Sequence, residues 1–339
     1  MSARGSLIDG AAMTTASFTV HGGRLALARA QFPTHLEWID LSTGIGPWAY
    51  PAAVDAEALR RLPEPGALTA LEAAAAAVFG SDPAATVAVP GSDIALRLIG
   101  RLIPARTPAI LGPGYAGHQA MWPDSVLLTD LAAEQHDVLV LARPNNPDGA
   151  IIDRERLADA ARLLGTKGGW LIVDEAFADA GTEPGIAAAK WPRTIVLRSF
   201  GKFFGLAGLR LGFVIAPPVF AASLRQMLGD WPISGPAIAI GTAAYRDLAW
   251  QTAQRRRLSD AAVRLDEVLS EAGFAIAGGT PCFRLVDTPN AAGVFEQLAR
   301  SAILTRPFAD DPRRLRVGLP STETDTARLK QALQTARMT

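Results

Sequence analysis

The chain has a single cysteine, Cys282, in 339 residues. That excludes an internal disulfide framework and a thiolate-built zinc site, and it suits a reducing, cytoplasmic compartment. A surplus of either charge is missing too: Lys+Arg and Asp+Glu both number 33. Without a basic excess the chain has no electrostatic means of holding nucleic acid. No stretch reaches the ~20 apolar residues of a membrane span. The first twenty residues lack the apolar run of a secretory signal, and Met13 is a second possible start. No G-x-G-x-x-G joins a first strand to its helix, nor does an acidic residue follow at ribose distance, so a nicotinamide dehydrogenase is excluded. Repeats and low-complexity segments are absent. Lysine is scarce, with four among the 33 basic residues.

What remains is an ordinary globular composition, 49% hydrophobic and 19% charged, long enough for a large domain and a smaller one. Residues 68–79 are Ala-rich with apolar residues at helical spacing, and Gly80 and Pro83 stop the helix. Short apolar runs follow at 86–89, 109–111, 137–142, 170–173, 194–197 and 211–216. Each is bounded by Gly, Pro or polar residues, as strands buried on both faces are, and helical patterns at 154–164 and 218–228 lie between them. The fold expected is α/β: a mainly parallel, seven-stranded-type sheet flanked by helices, plus a smaller C-terminal α+β domain. Residues 1–50 read as an N-terminal segment contributing to the site, 51–235 as the large domain and 236–339 as the small one. Residues 237–272 suit one long or broken helix, whose Arg255, Arg256 and Arg257 suit a solvated face.

Ligands of doubly wound sheets sit at the carboxyl ends of strands, so the residues after each run carry the functional reading. Lys202 lies just past such a run, in SFGKFFGLAGLRLG at 199–212. Apolar surroundings lower a lysine pKa from its ordinary ~10.4 and favour the neutral amine that imine formation needs. Ser199 and Arg210 flank it and could both hold a phosphate. In VDEAF, Asp174 leaves a buried strand and needs a cation, for which a protonated pyridine nitrogen would serve, or else it caps a helix; Glu175 reads as structural. Asn146 is held by the prolines of RPNNPDG where it could donate to a phenolate. Gly91 and Ser92 open a helix after a strand, as a phosphate cup does, with Asp93 capping that helix. Tyr115, in GPGYAGH, could stack on a flat ring or pack in the core, and His118 reads as a satisfied structural histidine.

Together these motifs resemble those of fold-type I pyridoxal-phosphate enzymes of the aspartate aminotransferase superfamily, over nearly the whole chain. The resemblance implies a Schiff-base role for Lys202, a pyridine-nitrogen role for Asp174, a phenolate contact for Asn146, a stacking role for Tyr115, and phosphate contacts for Gly91, Ser92, Ser199 and Arg210. Arg316, in RLRVGLP, matches the arginine that binds the substrate α-carboxylate, a bidentate task suited to guanidinium. It also implies a homodimer. Within the superfamily the chain resembles threonine-phosphate decarboxylases of cobalamin synthesis and histidinol-phosphate aminotransferases. The HGG at 21–23, DLSTGIGPWAYP at 40–51 and RLPEPGALTALEAAAA favour the decarboxylases. Phe177 stands where aminotransferases carry tyrosine, Leu62 where a tyrosine often reaches the neighbouring subunit, and Gly46 where relatives have asparagine.

The function expected is decarboxylation of L-threonine O-3-phosphate, a phosphorylated amino acid, to (R)-1-aminopropan-2-ol phosphate. The alternative is an aminotransferase of the histidinol-phosphate type. His21 is a candidate for the substrate phosphate, with Ser42, Arg24 and Arg314 as others. A non-catalytic regulator of this fold would carry a fused basic DNA-binding segment, and the chain has none.

Overall fold

The computed structural model describes residues 15–337, and the alternative start at Met13 lies outside them. In chain order, α1 (Leu25–Gln31), β1 (Ile39–Asp40) and α2 (Ala56–Arg60) lead into α3 (Pro65–Phe79). Then follow β2 (Thr86–Val89), α4 (Ser92–Leu102), β3 (Pro108–Leu111), α5 (Ala116–Gln119), β4 (Val126–Leu128), β5 (Val138–Ala142), α6 (Arg154–Thr166) and β6 (Trp170–Asp174). Next come β7 (Thr194–Ser199), α7 (Phe200–Phe203), β8 (Gly212–Ile215), α8 (Pro218–Leu228), α9 (Gly235–Arg246) and α10 (Leu248–Glu271). The chain ends with β9 (Ala275–Thr280), β10 (Phe283–Asp287), α11 (Ala291–Arg300), β11 (Ile303–Leu304), β12 (Arg306–Pro307), β13 (Arg314–Gly318) and α12 (Glu323–Arg337).

The large sheet has seven strands in the order β2-β8-β7-β6-β5-β3-β4. Six run parallel, and β8 is antiparallel to both of its neighbours, so the sheet is mixed as well as mainly parallel. The six apolar runs legible in the sequence are all strands. The seventh, β4, is three residues long at the edge, with Val126 and Leu127 exposed, and too short for a periodic signal. Strand alternation divides the apolar residues between two cores. Leu139, Leu141, Leu171 and Val173 pack with α3, α9 and α10. Val138, Val140 and Ile172 pack with α4 and α8. Each fully buried leucine or valine contributes about 1.5–3 kcal/mol.

The helix expected over 237–272 breaks at Asp247, whose carboxylate accepts from Trp250 N at 2.9 Å and caps α10. Arg256 is exposed on α10, as a solvated face requires, but Arg255 is not: its Nε donates to Asp179 O at 2.9 Å and its guanidinium lies over Phe203. A second, antiparallel sheet has the order β12-β13-β10-β9, while β1 pairs with β11 in parallel. That pairing brings the segment after β1 against the second sheet, where Gly318 N donates to Leu41 O at 2.7 Å.

Candidate active site

Six parallel strands end at one edge of the large sheet. Because β8 runs the other way, the segment that leads into it, with Arg210 two residues before the strand, reaches that same edge. A cavity of about 460 Å³ opens there, lined by His21, Gly91, Ser92, Tyr115, Asn146, Asp174, Ser199, Lys202, Arg210 and Arg316. These ten residues, each singled out in the sequence, thus meet in one place.

Lys202 sits on α7, one turn past β7. A side chain at Gly201 would come within 2.6 Å of Ala207 Cα, so glycine permits the tight return that presents the lysine. Gly46 N donates to Lys202 O at 2.8 Å, and a Cβ at Gly46 would press on the backbone of Lys202 and Phe203. The glycine where relatives have asparagine is therefore a packing position that pins the lysine turn, and it does not line the cavity. Burial lowers the Lys202 pKa to about 8, with the nearby Arg316 cation adding to the shift. A substantial neutral fraction therefore exists near physiological pH.

Asp174 ends β6 and is buried. Its Oδ2 lies 2.9 Å from His118 Nε2, and its Oδ1 accepts from Ala176 N at 3.1 Å. It caps no helix. His118, fully buried, is thus the residue that sequence reasoning undervalued: its Nε2 is held by the site carboxylate, while its Nδ1 is buried without a partner among the described residues. Its place three residues after Tyr115 in the turn following β3 was the available signal. Tyr115 lines the cavity and donates from its hydroxyl to Asp93 Oδ1 at 3.0 Å. Burial, then the Asp93 charge, pushes the Tyr115 pKa up, keeping it a donor. Asp93 caps nothing: the N-cap of α4 is Gly91, and the Asp93 carboxylate serves Tyr115 and Arg97.

Gly91 has φ +93°, and a Cβ there would stand 2.6 Å from Arg210 Nη2. The guanidinium therefore lies over a glycine at the N-terminus of α4, beside Ser92 and Ser199. Backbone N–H groups, a helix dipole and an arginine converging in this way form an anion cradle.

On the opposite side, Arg316 donates from Nη1 to Asn146 Oδ1 at 2.7 Å and from Nη2 to Ser42 O at 2.7 Å. Its own ion pairing is absent among the described residues, and its Nε has no partner. Arg306, in direct register with Arg316 on β12, donates to Val20 O at 3.2 Å; its Nε too is buried without a partner. Arg306 lines the cavity and was not among the sequence candidates, because a two-residue strand leaves no pattern. Ser42 is turned away: its hydroxyl donates to Asp40 Oδ1 and accepts from Gly23 N. Arg24 and Arg314 do not line the cavity, and Arg314 pairs with Asp311. Phe177 forms part of the wall, edge-on to Phe283, and Leu62 is 65% exposed at the surface.

Residues 124–334 match the family described as aminotransferase class I and II. The chain belongs to this family. It is 40% identical to a threonine-phosphate decarboxylase of Pseudomonas aeruginosa, over 92% of this chain and 96% of that one. A threonine-phosphate decarboxylase of Sinorhizobium sp is likewise 40% identical, over 94% and 98%. The fold is similar to that of the histidinol-phosphate aminotransferase from Sinorhizobium meliloti in complex with pyridoxal-5'-phosphate, with a TM-score of 0.81 at 21% identity, covering 92% of this chain and 94% of that one.

The donor set fits pyridoxal phosphate. The cradle a Cβ at Gly91 would fill suits a phosphate, the buried Asp174 suits a pyridinium, and Lys202 opens onto the space between them.

Proposed function

We propose that the chain is a pyridoxal-phosphate-dependent lyase that decarboxylates L-threonine O-3-phosphate to (R)-1-aminopropan-2-ol phosphate, in cobalamin synthesis. The observation that carries the reading is the pair Arg306 and Arg316: two buried guanidiniums facing the cavity, neither in an ion pair among the described residues. Buried cations without carboxylates call for anionic ligands, and a phosphorylated amino acid brings two anionic groups. The two decarboxylase relatives, alike over most of their length, support the same substrate.

Pyridoxal phosphate, when bound, supplies an aldehyde for the amine and a pyridinium ring that takes up the electron pair freed at the α-carbon. In this reading Ser92, Ser199, Arg210 and the N–H groups at Gly91 hold its phosphate, Asp174 its ring nitrogen, Asn146 its phenolate and Tyr115 its face. Arg316 holds the substrate carboxylate, oriented by Asn146 and Ser42 O. Arg306, with His21 at the rim, holds the substrate phosphate. Anchoring both ends would fix rotation about the α-carbon and so select which of its bonds is labilised. Lys202 then delivers a proton to the α-carbon, a transfer suited to a pKa of about 8. The apolar wall at Phe177 excludes water from that carbon.

A cytoplasmic homodimer belongs to the same reading, supported by the lone free thiol and by the superfamily resemblance. No described helix is long and apolar enough to cross a membrane. The deciding experiment is anaerobic incubation of the cofactor-loaded protein with L-threonine O-3-phosphate, following carbon dioxide and amine. Both products support the lyase. No carbon dioxide, with amino-group transfer from histidinol phosphate to 2-oxoglutarate, moves the chain to the aminotransferases.

A further inference from the structure

Beneath the cavity lies a group of buried charges that contacts neither of the proposed ligands. Arg198 donates to Glu175 Oε2 at 2.8 Å and also pairs with Asp179. Arg143 Nη1 stands 3.9 Å from Glu175 Oε1, which accepts from Ile186 N at 2.7 Å. All four side chains are buried, and their charges cancel. A Cβ at Gly185 would come within 2.9 Å of Arg198 Nη1 and 3.0 Å of Glu175 Oε2, so the chain closes over the network through a glycine.

Their places in the chain give the group its meaning. Arg143 follows β5 and stands three residues before Asn146. Glu175 follows Asp174 at the end of β6. Arg198 precedes Ser199 at the end of β7, and strand alternation sends it to the opposite face from Ser199. The backbone continues the same connection, with Arg143 N donating to Asp174 O and Glu175 N to Leu197 O, both at 2.9 Å. Arg143 also spans outward to Ile152 O and Pro184 O, while Asp179 O receives Arg255 of α10.

We propose that Arg143, Glu175, Asp179 and Arg198 are positioning residues: an ionic clamp across the carboxyl ends of three adjacent strands that holds Asn146, Asp174 and Ser199 at the spacing one cofactor requires. This rests on the cofactor reading above. Buried ion networks are a weak source of net stability, because desolvation cancels much of the attraction, yet a broken one leaves a bare charge. Such a network is therefore suited to fixing geometry. Neighbouring strands can otherwise slide by fractions of an ångström, and displacements of that order at a site cost about 10- to 100-fold in function.

The test compares Arg198→Lys, which keeps the charge and loses the fork, with Leu329→Ala, a buried core change on α12 away from the cavity. Glu175→Gln serves as a second variant should Arg198→Lys not fold. Affinity of each apo-protein for pyridoxal phosphate and the pH titration of the bound chromophore are measured beside the melting temperature. The clamp requires that Arg198→Lys or Glu175→Gln lose about 10- to 100-fold in cofactor affinity and shift the chromophore titration, while Leu329→Ala lowers the melting temperature with affinity within about twofold. Equal affinity losses for equal losses of melting temperature would overturn it, as would unchanged affinity in the clamp variants. Failure of the wild-type protein to bind the cofactor at all would instead sink the cofactor reading itself.

Discussion

Arg306 and Arg316 stand directly opposite one another across the β12–β13 ladder, two guanidiniums in register with no carboxylate paired to either among the described residues. Like charges in that arrangement destabilise a sheet by about 0.2–1 kcal/mol, and burial adds to the cost. Burial first, and the neighbouring Arg306 second, push the Arg316 pKa down. An anionic ligand held between the two would relieve that repulsion.

Arg306→Met should accordingly raise the melting temperature of the apo-protein slightly while lowering kcat/KM for L-threonine O-3-phosphate by about 30- to 1,000-fold, the scale of a lost buried charge contact. Arg316→Met should lose at least as much activity but gain no stability, because it strands Asn146 Oδ1 and Ser42 O. Steady-state kinetics and thermal melts check both. An Arg306→Met enzyme with wild-type KM would remove Arg306 from the substrate site.

Lys202 makes the apo-protein's stability depend on pH. Unfolded, the lysine keeps its proton up to about 10.5; folded, it releases it above about 8. Between those values the unfolded chain binds more protons, so stability rises with pH through the window, by about 3 kcal/mol in all. Lys202→Met should be more stable than wild type at pH 7 and should lack the rise. It should also form no imine-linked cofactor. Urea titrations of the two apo-proteins at intervals from pH 7 to 10.5 would reveal parallel curves if the lysine were not buried as described.

His118→Phe removes the buried donor beside Asp174 Oδ2. A hydrogen bond to a charged group contributes about 1.5–3 kcal/mol, so affinity for pyridoxal phosphate should fall by about 10- to 150-fold. Unaltered cofactor binding in this variant would mean that Asp174 is not the ring-nitrogen partner.

Gly149→Ala tests the turn that presents Asn146. Gly149 has φ +74°, and its Cβ would stand 1.8 Å from Gly279 O of β9, a backbone atom that cannot swing aside. The turn must shift, at about 1–3 kcal/mol, and Asn146 moves with it away from Arg316. The melting temperature should drop and carbon dioxide release should slow together. Gly165→Ala, where a Cβ meets nothing within 4 Å, should do neither.

Much of this site was legible in one dimension, for an identifiable reason. A parallel strand buried on both faces must be an apolar run, and the chemistry must follow it at the carboxyl end. Lys202, Asp174, Asn146 and Gly91 could therefore be read as residues punctuating runs, with glycine and proline marking each turn. What depended on contacts between distant segments was hidden. Arg306 lies on a strand of two residues, and its meaning comes only from the register that sets it against Arg316. His118 was a histidine in a turn until β6 brought Asp174 to it. Ser42 carried the right chemistry in the right segment, but its hydroxyl is consumed by Asp40 and Gly23. The reversal of β8, which carries Arg210 to the edge from the other direction, is a matter of pairing, and local composition does not record strand direction. The amino-acid sequence by itself determined which residue types stand at the ends of buried strands, because burial constrains composition locally. Only the tertiary structure decided which of them face one another, because pairing and register are settled by contacts far apart in the chain.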